Sequence, residues 1–390
     1  MSAIKAVFVS NYSPGHATGG SQCTLAMLQA VSAVHESRVD YLGPAFMAPK
    51  ASLGVEIANE SIAKSRPFSR KALGLINGLH VDRTSPLIDQ ILDEHDPSGT
   101  IVYASGDECG KTVCTSVRRG FRTVYLPHNY PIDWLKARKM GLNGHTRGKL
   151  VNYWSKRAFA EATVALTLTK EDRASFEKAL GAHRQKPTFS DMYFGYKDPN
   201  SLSKWSAPSE NRDFRVLIAT TLALPENEEG VIEILDHAWP KISHNGQAHL
   251  DIAGSAPSAH LEARVQAAGN RVSLSGSPST TAMEDLFSRA SVTIASTRKG
   301  SGIKLRVADS LRRGLPVITT RHCAIGYDDV STRVLRVYET AGEAVRHLQD
   351  LMSENRDALA ELAIKEYDRL FSYDSGVNKI ARVRDAALNA

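Results

Sequence analysis

The residues between Val292 and Thr320 carry the types and spacing needed to hold a phosphorylated ligand. Val292-Thr293-Ile294-Ala295 reads as a short buried strand. The loop after it contains Gly300, Ser301 and Gly302, small residues that let backbone N–H groups approach phosphate oxygens. A helix is expected from about Ile303 to Arg312, and its N-terminus adds partial positive charge. Lys304 would add a full charge in the first turn. Asp309, five residues on, would present a carboxylate to a ribose diol. Gly314 ends the helix and Leu315 to Thr319 opens the next strand. The same spacing also suits an ordinary strand–turn–helix unit with a surface Asp.

Other candidate chemistry is thinner. His128 follows the strand Thr123–Leu126, a place where a lone histidine is more often structural than catalytic. Gly106-Asp107-Glu108-Cys109-Gly110-Lys111-Thr112 has the look of an ATP-binding P-loop. Three residues, not four, separate its glycines, and its two carboxylates would repel phosphate. Gly15, Gly19 and Gly20 do not fit the dinucleotide pattern, which argues against a nicotinamide. No Asp-x-Asp metal motif follows a strand, and Glu94-His95-Asp96 is expected on a surface helix, so no metal and no cofactor is assigned. Cys23, Cys109, Cys114 and Cys323 lack ligand spacing and read as buried thiols in a reducing compartment.

The elements that must position these residues alternate between β and α along all 390 residues. Strands are expected at Ile4–Ser10, Val39–Leu42, Thr100–Ala104, Thr123–Leu126 and Thr163–Thr167, with a helix from Ser21, as N-cap, to His35. Thr169 begins a second capped helix. Residues 185–212, rich in Ser, Pro, Asn and Lys, read as a linker. Strands Phe214–Ala219, Ala248–Ala253 and Arg271–Leu274 follow, with one helix ending near Trp239-Pro240 and another beginning at Met283. The fold class is therefore α/β, with two doubly wound Rossmann-like domains at 1–205 and 206–365 and a helical tail at 366–390.

Charge is uneven. The chain has 48 Lys and Arg against 42 Asp and Glu, and residues 1–205 alone hold 26 against 18. A basic first half points to an anionic partner. Residues 134–157 contain no acid and interleave Trp134, Tyr153 and Trp154 with Lys136, Arg138, Lys139, Arg147, Lys149, Lys156 and Arg157. No nucleic-acid reading motif accompanies them. Anionic lipid headgroups or a lipid-diphosphate acceptor suit them, as does a plain solvated face. Lys64, Arg66, Arg70 and Lys71, before the apolar residues 72–79, allow the same two readings. No run approaches the ~18 apolar residues of a membrane span. The expected location is the cytoplasm, at most on the inner face of its membrane.

The string Gly300-Ser301-Gly302-Ile303-Lys304-Leu305-Arg306-Val307-Ala308-Asp309, with Gly314-Leu315-Pro316-Val317 behind it, resembles the nucleotide-sugar segment of family-4-type (group 1) glycosyltransferases with the GT-B fold. That family usually reads Gly-x-Gly-Ile-Lys-x-Lys-x-x-Glu, so Arg306 replaces a Lys and Asp309 a Glu. The resemblance runs from the opening of the second domain to Gly326. It implies two domains facing across a cleft, a nucleotide-sugar donor (UDP by family frequency) and a saccharide or lipid-linked acceptor. Transfer would be metal-independent and retain configuration, the departing phosphate taking the acceptor's proton. By the same resemblance the base lies near Gly276, Ser277 and Glu284. The diphosphate meets Gly302, Ile303 and Lys304, aided by Lys299 or Arg298, and Asp309 takes the ribose. Thr221 and Gly254 end neighbouring strands, His128 bonds the donor sugar, and Gly20 approaches donor phosphates or acceptor.

Two departures stand out. Thr220 to Glu229 has no basic residue where relatives carry an Arg and a Lys, and offers Glu226, Glu228 and Glu229 instead. The first of the family's paired acids is also missing. A sugar-nucleotide epimerase or hydrolase, or a catalytically weak partner subunit, therefore stays open beside the transferase.

Overall fold

In a computed structural model, residues 4–16, 18–63, 82–132, 142–181, 185–197, 213–243, 248–300 and 302–390 are described. Ser301, the basic residues Lys136, Arg138 and Lys139, and the expected basic loop and apolar helix of residues 64–79 lie outside them. The chain divides into two compact units: Met1–Ser201 with Phe371–Ala390, and Leu202–Leu370.

The first unit holds β1 (Lys5–Ser10), β2 (Val39–Gly43), β3 (Asn59–Ile62), β4 (Thr100–Ser105), β5 (Arg122–Leu126), β6 (Val164–Leu166) and β7 (Thr188–Phe189). They form a parallel sheet in the order β3-β2-β1-β4-β5-β6-β7. Helices cover both faces of such a sheet, so its central strands are near-continuous apolar runs and not alternating ones. Thr100–Ser105 is buried along its whole length, and β1 from its second residue on. Strand order reverses between β1 and β4, whose register pairs Lys5 with Thr100 and Ser10 with Ser105. The two serines thus lie side by side at the C-terminal ends, where ligands collect in doubly wound sheets.

The second unit repeats the plan with β8 (Phe214–Ala219), β9 (Ala248–Gly254), β10 (Val272–Gly276), β11 (Val292–Ala295), β12 (Val317–Thr320) and β13 (Leu335–Tyr338). The parallel order is β10-β9-β8-β11-β12-β13, with its reversal between β8 and β11. The expected fold class is what is found, including β8 and β11 at their expected limits.

Several local expectations are corrected. The first helix spans Gly19–Val34 and is capped by Thr18, which accepts from the N–H of Ser21; Ser21 is not the cap. The helix before Glu94 ends at Leu92, and the His95 side chain is buried with Nε2 3.0 Å from Asp40 Oδ2, so it is no surface helix. The helix from Pro225 continues through Trp239 to Ser243, and the next begins at Thr280, capped by Ser279. Thr169 does cap its helix, accepting from Asp172. The four cysteines are buried and unbridged.

The helix Tyr373–Leu388 belongs to the first unit, packing on the Gly19–Val34 helix with Ile380, Val383 and Ala387 buried. Lys379 donates to the carbonyls of Asp191 (3.0 Å) and Tyr193 (2.9 Å), and a Cβ on Gly376 would collide with Phe194.

Candidate functional site

Each reversal point carries a polar cluster, and the two are chemically unlike. In the first unit, Ser10 at the end of β1 and Ser105 at the end of β4 meet Thr24 from the adjoining helix. Ser10 Oγ donates to the Ser105 carbonyl (3.0 Å) and lies 3.2 Å from Thr24 Oγ1. Thr24 Oγ1 is 3.4 Å from Ser105 Oγ, which is 2.9 Å from His128 Nε2. His128, carried just past β5, is 3% exposed, and burial pushes its pKa down to about 4. Its ring is neutral at physiological pH, and its Nδ1 is buried without a partner among the described residues.

Tyr12 roofs this cluster. Its ring stacks on His128 with centroids 4.9 Å apart, and its hydroxyl reaches Asp107 Oδ1 at 3.4 Å. Gly106 makes room for that ring: its φ is +118°, and a Cβ there would stand 2.8 Å from Tyr12 Cε2. A Cβ on Gly20 would meet the same ring at 2.7 Å. Gly20 thus faces Tyr12. Burial, with Glu108 alongside, raises the Asp107 carboxyl to about 6.

The helix Gly110–Arg118 that follows this loop has its N-terminus filled from within. Asp82 Oδ2 accepts from Thr112 N at 2.7 Å, while Oδ1 takes the N–H groups of Thr84 and Ser85 and the Thr84 hydroxyl. An internal carboxylate therefore sits where a P-loop would hold phosphate.

The second unit collects cations and an amide. Gly300 (φ +116°) and Gly302 (φ +68°) turn the loop after β11 through conformations that side chains avoid. The helix begins at Leu305, not Ile303. Lys304 is its N-cap residue and lies outside the first turn, with Nζ donating to the Gly302 carbonyl at 3.0 Å. Arg306, one residue into the helix, turns its guanidinium toward the helix that follows β8 and the loop leaving β11. It donates to Asn227 Oδ1 (3.2 Å) and Thr297 Oγ1 (3.3 Å), and Thr297 also donates to Asn227 Oδ1 at 2.7 Å. Burial lowers the Arg306 pKa, yet among the described residues no carboxylate pairs with it. A guanidinium held by neutral groups at a strand-end crevice is ready to receive an anion.

His322, after β12, adds a buried Nε2 with no partner among the described residues, 3.7 Å from where a Cβ on Gly300 would stand. Burial first, then the charge of Lys304, lowers its pKa to about 4. Asn227, Thr297, His322 and Tyr12 were not singled out from sequence. Their roles rest on contacts between segments tens of residues apart, for which the sequence offers no local signal.

The remaining expected residues are dispersed. Arg298 is held by Glu233 at 2.7 and 2.8 Å, and Lys299 by Glu229 at 2.8 Å. Two glutamates at this end of the unit are thereby neutralised, and Glu228 bonds Ser258, the cap of the helix Ala259–Ala267. Asp309 lies 3.6 Å from both Arg312 and Arg313, and Arg313 in turn pairs with Glu284 and stacks on Phe287 at 4.3 Å. Gly276 and Ser277 are exposed at the end of β10. Gly254 abuts the Thr220 carbonyl, where a Cβ would collide, and the Thr221 carbonyl accepts from Asn227 Nδ2 at 2.9 Å. Among the described residues no three His, Cys, Asp or Glu come together as a metal site.

Comparisons with known proteins converge on one architecture. Residues 214–354 match the family Glycosyl transferases group 1. An uncharacterized 44.6 kDa protein in the cps region of Klebsiella pneumoniae is 27% identical over 168 residues, 41% of this chain and 42% of that protein's length. Among solved structures, Anabaena HepE in complex with UDP superposes with a TM-score of 0.67 at 15% identity, covering 98% of this chain and 100% of its own. Sucrose-phosphate synthase from Thermosynechococcus elongatus gives 0.63 at 14%, covering 98% of each chain. WaaG, a glycosyltransferase involved in lipopolysaccharide biosynthesis, gives 0.63 at 15%, covering 97% of this chain and 99% of its own. At these identities the likeness speaks to the fold.

Proposed function

The chain carries a glycosyl transferases group 1 domain on a GT-B fold, and from that premise we propose that it moves a sugar from a nucleotide-sugar donor to a saccharide or lipid-linked acceptor. The observation that carries this reading is Arg306. It is a half-buried guanidinium whose partners among the described residues, Thr297 and Asn227, are neutral, set beside a glycine loop and a helix N-terminus at the reversal point of the second sheet. In the proposed reaction the bond from the sugar's anomeric carbon to the diphosphate breaks, and a bond to an acceptor oxygen forms with retention. The acceptor's proton passes to the leaving phosphate. Lys304, Arg306 and the N–H groups opening the helix at Leu305 take up the charge that grows on the diphosphate, without a metal ion. Asp309 takes the ribose, and the Gly276 to Glu284 segment lies by the base. His128 receives a sugar hydroxyl.

UDP is the proposed nucleotide, in keeping with its presence in Anabaena HepE. Titration calorimetry over UDP, GDP, ADP and dTDP tests the reading directly. Tight binding of one nucleoside diphosphate is expected, and tight binding of none overturns it. Release of UDP from UDP-glucose without any acceptor would point to a hydrolase instead.

Contact with an anionic membrane, as for a polysaccharide-building enzyme at the inner face of the cytoplasmic membrane, is also proposed. Tyr153 is 52% exposed on the helix Leu142–Glu161, beside a Trp154 ring that Lys111 and Arg157 overlie. Lys111, Arg118 and Arg119 line one concave surface. Such aromatic and basic groups suit lipid headgroups. Arg147 and Arg157 are partly spent on Glu108 and Glu161. Charge reversal at Lys136, Arg138 and Lys139 should lower sedimentation with anionic liposomes while leaving nucleotide binding intact.

A further inference from the structure

A chain of hydroxyls stands behind His128, and counting its protons bears on which ring nitrogen is protonated. Four contacts need a hydrogen: Ser10 Oγ to the Ser105 carbonyl, Ser10 to Thr24, Thr24 to Ser105, and Ser105 to His128 Nε2. The three hydroxyls bring one proton each. The Ser105 carbonyl only accepts, so the Ser10 proton is committed to it. Thr24 must then donate to Ser10, and Ser105 to Thr24. The last contact, 2.9 Å long, is left for a proton on Nε2. In the other tautomer Ser105 would donate to Nε2, the Thr24–Ser105 contact would lack a hydrogen, and the proton on Nδ1 would be buried without an acceptor among the described residues. Ser10 Oγ has room for its part, since its other acceptor position takes the N–H of Tyr12 at 3.0 Å.

We propose that Ser10, Thr24 and Ser105 are positioning residues that hold His128 as the Nε2–H tautomer, so that its bare Nδ1 accepts a hydrogen bond from a ligand hydroxyl. The ligand class follows from the chemistry. A bare ring nitrogen recognises a donor such as a sugar hydroxyl and is mismatched to phosphate oxygens, which are acceptors themselves. This site therefore takes a ligand hydroxyl, and the buried Nδ1, which has no partner among the described residues, is the atom that meets it. The neutral state needed for this agrees with the burial of the ring. The proposal rests on the transferase reading for its choice of a sugar, but the tautomer stands or falls by itself.

Long-range 15N–1H correlation on the ligand-free protein labelled at histidine reads the tautomer directly, with His128 identified by the signals lost in His128→Gln. A protonated Nε2 and a bare Nδ1 are expected, and the reverse pattern overturns the proposal whether or not any turnover is found. Thr24→Val keeps the shape and removes the hydroxyl, and should mix the two tautomers and lower kcat/KM five- to tenfold at unchanged UDP affinity. Thr24→Ser should restore both. A His128 spectrum unmoved by Thr24→Val also counts against the chain of hydroxyls. Should Thr24→Val fail to fold, the wild-type spectrum decides alone.

Discussion

The two sheets reverse their strand order in the same way, yet the crevices at the two reversals differ in chemistry. The β1/β4 crevice is lined by hydroxyls, a neutral imidazole, a tyrosine and a carboxyl held above its usual range. Where cationic chemistry threatened to appear, at the helix Gly110–Arg118, Asp82 already occupies the N-terminus. Among the described residues, the β8/β11 crevice has an arginine that no carboxylate pairs, a lysine at the helix cap and a histidine with an unpartnered nitrogen. Two of the acids at this end of the unit, Glu233 and Glu229, are neutralised by Arg298 and Lys299. One topology thus carries a neutral crevice lined by hydroxyls and a cationic one, and side chains alone decide which is which.

Substitutions can break this contrast, the largest effects coming first. Lys304→Ala should abolish turnover while circular dichroism shows the fold intact, and unchanged activity would remove Lys304 from the anion site. Arg306→Met should weaken UDP roughly 10- to 100-fold by calorimetry, as expected for losing charge-assisted hydrogen bonds worth about 1.5–3 kcal/mol. If Arg306→Met leaves UDP affinity alone, the contrast between the crevices fails.

Gly106→Ala tests the other crevice. Its positive φ and the Tyr12 ring both oppose a Cβ, so a loss of about 1–3 kcal/mol in urea unfolding is expected.

The pH dependence sharpens the comparison further. His128 and His322 have folded pKa values near 4, below the unfolded value, so the unfolded chain binds more protons between about pH 6.5 and 4 and acid destabilises there. Asp107, raised to about 6, works in the opposite sense: its contribution is full below about pH 4 and is lost as pH rises through 6. Asp107→Asn should therefore steepen the loss of stability on acidification, by an amount on the order of 2 kcal/mol, read from urea midpoints across that range. Smallest of all, Lys299→Ala should change UDP affinity less than about threefold, because an exposed pair such as Lys299–Glu229 carries little energy.

The sheets were legible because parallel central strands are buried on both faces and announce themselves as apolar runs; Phe214–Ala219 and Val292–Ala295 were found at the expected limits. Asn59–Ile62 was not seen, since an edge strand with largely exposed residues has no apolar signal. The start of the first helix was misplaced because Gly19 and Gly20 are poor helix formers, whereas the Thr18 cap carries the helix through them. Lys304 was placed one turn position too deep for a similar reason: its extended backbone, with φ −95° and ψ 93°, is not visible in residue type. The glycine loop itself was readable. The partners of Arg306 were not, because Asn227 lies 79 residues away along the chain.

The helix Tyr373–Leu388 completes the first unit although the whole of the second lies before it in sequence. During synthesis, then, the face of the Gly19–Val34 helix that this segment covers lacks that partner until Tyr373–Leu388 has been made. Domain-by-domain folding from the N-terminus therefore has a topological obstacle here, because the second unit is contiguous in sequence and the first is not. A chain stalled before residue 373 would display an open hydrophobic surface to chaperones.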